Sequence, residues 1–177
     1  MSASCCEIIA ARITGPACIG IDGRTGAGKS TLAARLADRL HHRGLSTAII
    51  PLDLLCYGWD DLAGGIARAD RLLRAFPGPI TWFPYNWLSG QIAAPTVTRC
   101  EVLIIEGCGA ISDLLQPHLT VGVWVEADDE VRDARIRERD DYDWAAERIA
   151  WERQHNALPY AAGSGDHAAD ICCSLGG

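Results

Sequence analysis

Gly23-Arg24-Thr25-Gly26-Ala27-Gly28-Lys29-Ser30 decides how this chain is read. It satisfies G-x-x-x-x-G-K-[S/T] at every fixed position, and it sits between the apolar run Ala17-Cys18-Ile19-Gly20-Ile21-Asp22 and a helical pattern. Glycines let the backbone curl so that successive N–H groups face inward around an anion. The positive end of the following helix adds to that field. Lys29 then reaches the β- and γ-phosphates of a nucleotide, and the Ser30 hydroxyl ligates Mg²⁺. The segment from Gly23 to Ser30, with Thr31 behind it, is thus the expected cradle for ATP and Mg²⁺. With 18 glycines and one lysine in 177 residues, composition alone yields about one accidental match per thousand such chains.

Outward from this loop, strand and helix signals alternate as in an α/β protein with a parallel sheet. Ser30 to Arg43 reads as a helix with Leu32, Leu36 and Leu40 on one stripe, stopped by Gly44. Leu45–Pro51, Glu101–Glu106, Thr120–Val125 and Ala168–Cys173 read as further strands, and Asp60–Phe76, Asp128–Arg139 and Asp143–Leu158 as helices. There are no internal repeats, and only Gly163-Ser164-Gly165 looks like a linker. One domain over residues 1–177 is expected, with a helical lid at about 128–158. The expected sheet has five parallel strands ordered 2-3-1-4-5, in a three-layer αβα arrangement.

The charge balance excludes some classes of partner. Residues 1–120 hold ten basic and ten acidic side chains, whereas residues 121–177 hold six and thirteen, so the net charge of −7 lies in the last third. A chain without a basic face is a poor nucleic-acid binder. No apolar run approaches the ~20 residues of a membrane helix, and Met1-Ser2-Ala3-Ser4 opens no signal peptide. A soluble, cytoplasmic protein without nucleic-acid or membrane partners is expected, and no feature of the sequence sets its oligomeric state. The eight cysteines show no C-x-x-C spacing, so core or incidental thiols, reduced in the cytosol, are expected rather than disulfides or zinc.

Several residues beyond the loop carry chemistry. Glu106 ends a buried strand where a second Mg²⁺-shell carboxylate belongs. Asp53, after the second strand, is placed to accept a hydroxyl proton or to hold Mg²⁺ through water. Arg132, Arg135 and Arg139 share a helix face, and Arg135 and Arg139 are the expected lid arginines acting on the transferring phosphoryl group. Trp82-Phe83-Pro84-Tyr85-Asn86-Trp87 is dense enough in aromatics to stack on a planar acceptor, with Trp82, Tyr85 and Trp87 as platforms and Asn86 as a polar handle.

With these residues placed, the chain resembles the P-loop nucleoside kinases, in particular uridine-kinase-like small ATP-binding proteins of actinobacterial type. Ile21 to Ser30 resembles their opening, and Leu52-Asp53 with Gly58-Trp59-Asp60 their "LDD-x-Y-x-GWD" segment. Ile104-Ile105-Glu106-Gly107 resembles their second acidic strand, and Arg135 and Arg139-Asp140 their lid arginines; Trp151, Gln154 and Asp170 also fit. The resemblance implies a MgATP-dependent kinase acting on a small nucleoside-like acceptor. The acceptor half departs from it. Leu54 and Cys56 replace an Asp and a Tyr, and the "Y-R-R-[YW]-D-W" stretch has lost both arginines and has Asn86 for the Asp. That Asp is the group the resemblance would assign to sugar hydroxyls. Two other readings remain open: a nucleoside monophosphate kinase, needing Arg68, Arg71 or Arg74 toward the acceptor phosphate, and a nucleotide-binding regulator or slow NTPase.

Overall fold

A computed structural model describes residues 4–139, 144–160 and 165–175. The expected positions Asp140, Asp143 and Gly163-Ser164 lie outside the described residues. Five strands form one parallel sheet: β1 (Ala17–Asp22), β2 (Thr47–Pro51), β3 (Val102–Glu106), β4 (Val121–Glu126) and β5 (Ile171–Ser174). Their order is β2-β3-β1-β4-β5, which is the expected 2-3-1-4-5 arrangement. β1, β3 and most of β4 are buried on both faces, the mark of a parallel sheet covered by helices.

Alternating side chains divide between two cores. Ile19 and Ile21 of β1 with Ile104 of β3 face one layer, against Leu32, Leu36 and Leu40 of α2 (Lys29–His42) and Ile9 of α1 (Cys5–Ala11). Leu103 and Ile105 face the other, against Leu62, Ile66 and Leu73 of α3 (Leu62–Leu73) and Trp151 of α5 (Ala145–Asn156). Burying each such aliphatic side chain is worth about 1.5–3 kcal/mol. α4 (Asp129–Arg139) lies between β4 and α5 in sequence. No helix among the described residues is long and apolar enough to cross a membrane.

Three features differ from the sequence reading. α1 was not legible as a helix, yet Ser4 and Glu7 close a reciprocal capping box on it. The aromatic stretch is not a plain loop but contributes to two short antiparallel pairs, Ile80–Trp82 with Thr96–Thr98 and Tyr85-Asn86 with Gln91-Ile92. The expectation of thiols without disulfides is corrected by Cys5–Cys173, which joins α1 to β5 at a Cα separation of 6.0 Å. A pairing across 168 residues leaves no local spacing to recognise.

Candidate active site

Strand register brings the chemistry to one edge. Ile21 of β1 pairs with Glu106 of β3, and Pro51 of β2 pairs with the same Glu106. Three chain segments therefore leave the sheet side by side: the loop after Asp22, the residues after Glu106, and the single helical turn Leu52–Leu55 that carries Asp53. This is the carboxyl edge, where open α/β sheets bind ligands.

The loop is shaped by close packing. A side chain at Gly23, whose φ is +140°, would meet the Val125 carbonyl oxygen at 2.2 Å, and one at Gly26, with φ +80°, would meet the Arg132 carbonyl oxygen at 2.8 Å. Lys29 is buried, and its Nζ donates to the Gly23 and Arg24 carbonyls at 2.7 and 3.0 Å. The one lysine of the chain is thus folded back across the loop it serves. The Ser30 hydroxyl donates to Glu106 Oε1 at 3.1 Å, so the two expected Mg²⁺ ligands already touch. Burial pushes the Glu106 carboxyl up, and Asp53 adds to this, while Lys29 and the Ser30 hydroxyl pull it down. Asp53 is open to solvent on one side, yet the cleft walls still raise its carboxyl against the opposing pull of the Leu54 amide, Lys29 and Arg139.

A cavity of about 690 Å³ joins these groups. Lys29, Ser30, Thr31, Asp53, Glu106, Arg135 and Arg139 line it, together with Trp59, Trp87, Trp144 and Trp151. Arg135 donates to the Ala27 carbonyl at 3.3 Å and to the Leu175 carbonyl at 3.3 Å, which holds α4 against the loop and β5. Arg132, on the same helix face, is buried instead; it donates to the Thr25 carbonyl at 2.8 Å and pairs with Glu152 at 2.8 Å. Arg24 is exposed, 3.8 Å from Asp129.

The expected acceptor residues are dispersed. Trp87 lines the cavity, its indole donating to the Asp53 carbonyl at 3.3 Å. Tyr85 packs edge-on against Trp87 with centroids 5.1 Å apart. Trp82 is buried in the core, its Nε1 bound to Thr98 at 3.0 Å. Asn86 is exposed, and its Oδ1 accepts from the Leu88 and Ser89 amides at 3.0 and 3.1 Å, capping its own turn outside the cavity lining.

Sequence reasoning missed a buried network under the loop. Asp22, fully buried, accepts from the amides of Gly23, Gly109 and Ile111 at 2.7, 2.9 and 3.1 Å, and from Tyr160 at 3.1 Å. His155 Nε2 lies 3.1 Å from the same carboxylate. Burial works against ionised Asp22, but His155 and the amides outweigh it and hold the carboxyl below its ordinary range. Burial also opposes a charged His155, yet Cys108 and Asp22 raise it to about 10. Cys108 is no incidental core thiol: it lines the cavity with its Sγ 3.8 Å from Lys29 Nζ. Burial pushes this thiol up, and Lys29 and His155 more than reverse that, to about 7. The one signal in sequence was a carboxylate directly before the glycine loop; His155 and Tyr160 approach it only through the tertiary fold.

No protein-family model matches the chain, and no curated protein matches its sequence. Solved structures do match. A candidate fructose transport system kinase from Silicibacter sp. TM1040 superposes with a TM-score of 0.72 at 19% identity, covering 94% of this chain and 96% of its own. A candidate uridine kinase from Bacillus stearothermophilus gives 0.61 at 20% identity, over 95% of this chain and 94% of its own. The shikimate kinase of Acinetobacter baumannii gives 0.51 at 15%, over 90% and 83%. At these identities the likeness is one of fold: the chain has the architecture of the P-loop kinases.

Proposed function

We propose that this protein is a MgATP-dependent phosphotransferase acting on a hydroxyl of a small acceptor, nucleoside-like in its size and flatness and free of phosphate. One observation carries the reading: the phosphate loop, the Ser30–Glu106 pair and Asp53 open into a single cavity that continues into an aromatic wall. The residues suit MgATP, with a glycine-shaped loop, a lysine at its mouth and a hydroxyl–carboxylate pair of the hard oxygen type that Mg²⁺ takes. When bound, MgATP supplies the phosphoryl group to be transferred.

The chain's own groups do the rest. Lys29 and the loop amides hold the phosphates, and Ser30 and Glu106 hold the metal. Asp53 orients the acceptor hydroxyl and takes its proton, helped by a carboxyl raised above its ordinary value. Arg135 and Arg139 neutralise charge from the α4 side. The work is positioning and electrostatics.

A phosphate-bearing acceptor finds little support. Arg68 is committed to Asp61 at 2.7 Å and the Leu55 carbonyl at 2.8 Å, and Arg74 to Asp70 at 3.0 Å. Neither these nor Arg71 line the cavity. The test is ATP consumption measured alone, with nucleosides, and with nucleoside monophosphates. Stimulation by phosphate-free alcohols is expected. Stimulation only by monophosphates would assign a nucleotide kinase, and an unchanged slow rate would assign a regulator or NTPase.

A further inference from the structure

We propose that the acceptor end of the cavity selects a cationic alcohol, a hydroxyl compound built on an alkylated or aromatic ammonium; this rests on the phosphotransferase reading above. The wall opposite the phosphate loop is made of tryptophan from three separate segments. Trp59 follows the Asp53 turn, Trp87 comes from the small hairpin, Trp144 immediately precedes α5 and Trp151 lies in its middle. They converge on Trp59, whose ring centroid is 4.7 Å from Trp87, 5.2 Å from Trp144 and 6.2 Å from Trp151. Packing of a core accounts for Trp144 and Trp151, which are 8% and 6% exposed. Trp59 and Trp87 pack against that core with only part of their surface and stay partly exposed where all four line the cavity.

Charge decides what such a wall receives. Lys29, Arg135 and Arg139 line the cavity against Asp53, Glu106 and Glu138, so the formal charges of the lining cancel. Bound MgATP then adds about two negative charges. An anionic acceptor would meet that excess, and Arg68 does not offset it: it is paired with Asp61 and lies 3.7 Å over the Tyr57 ring, outside the cavity. A neutral acceptor gains stacking and the Asp53 contact that any alcohol makes, but nothing from that field. A cation gains both the field of the nucleotide and the negative faces of indoles, the strongest of the aromatic cation binders. Asn86, turned into its own hairpin, provides no counterpart for a sugar diol.

The experiment compares molecules of equal shape and different charge. Binding of choline against 3,3-dimethylbutan-1-ol, and of N-(2-hydroxyethyl)pyridinium against 2-phenylethanol, is measured by calorimetry with Mg²⁺ and a non-hydrolysable ATP analogue. Each cation is expected to bind about tenfold or more tightly than its neutral partner, and more tightly than uridine or UMP. Trp87→Leu is expected to remove most of that preference and Trp87→Phe only part of it. Neutral partners that bind as well as the cations, or uridine or UMP binding tighter than both, overturn the inference. Product formation with MgATP is scored separately. Cation preference without transfer to any alcohol supports the charge selection and sinks the phosphotransferase reading. Transfer with a neutral preference does the reverse.

Discussion

The Lys29 ammonium lies 3.8 Å from the Cys108 sulfur, in the cavity proposed to take the phosphates of a nucleotide. The contact makes a reporter of the loop. Cys108 is the cysteine whose thiol is brought down, to about 7, whereas Cys6, Cys18, Cys56, Cys100 and Cys172 are all pushed up by burial. The thiolate is the reactive form, so the rate of Cys108 alkylation by iodoacetamide should rise with pH through about 7. Groups facing it are Lys29, His155, Asp22 and Thr25, with Tyr160 behind. MgATP should slow the reaction. Peptide mapping that shows no protection by MgATP, or a midpoint at the ordinary thiol value, contradicts the placement.

Lys29→Ala should abolish tight MgATP binding and leave the fold intact. It removes the cation proposed to reach the phosphates and also frees the Gly23 and Arg24 carbonyls that the ammonium now holds. Calorimetry on the folded variant tests this; an unchanged affinity would sink the phosphate-loop assignment.

Asp53→Asn should keep nucleotide binding and lower turnover by ~10²–10⁴-fold, because an amide cannot take the hydroxyl proton. Turnover within a factor of two of the parent would make Asp53 a structural residue of its helical turn.

Arg135→Ala should reduce turnover more than nucleotide affinity, since charge near the transferred group matters most as that charge develops. The side chain also ties α4 to Ala27 and Leu175. Equal losses in both quantities would assign it to ground-state binding.

His155→Leu should destabilise the protein by about 3–5 kcal/mol, because it strips the cation from a fully buried carboxylate. In Asp22→Asn the same histidine has less to neutralise, so adding His155→Leu should cost less than in the parent. Urea unfolding of the four proteins gives the coupling. Additive losses would mean that the pair is not an ion pair.

The sheet and its order were legible because buried parallel strands are short apolar runs, such as Val102 to Ile105, and glycines mark where they end. The glycine-rich motif was legible because its fixed positions lie within eight consecutive residues, and the structure sets them between β1 and α2. The acceptor half was not. Trp82 and Trp87 stand five positions apart in one aromatic stretch, yet one is in the core and one in the cavity. Strand alternation and a turn capped by Asn86 separate them, and neither shows as a period in six residues. Trp144 reads as an ordinary helix residue, and Trp151 is marked only by the family resemblance, until the fold brings both against Trp59. His155 needed the same tertiary step to reach Asp22.

The Cys5–Cys173 bond closes residues 5–173 into one covalent ring. A single peptide-bond cut anywhere between those cysteines opens the ring without separating its pieces. A protein nicked in the exposed hairpin at Leu88-Ser89 should therefore migrate as one species in a denaturing gel run without thiols, and as two once a reductant is added.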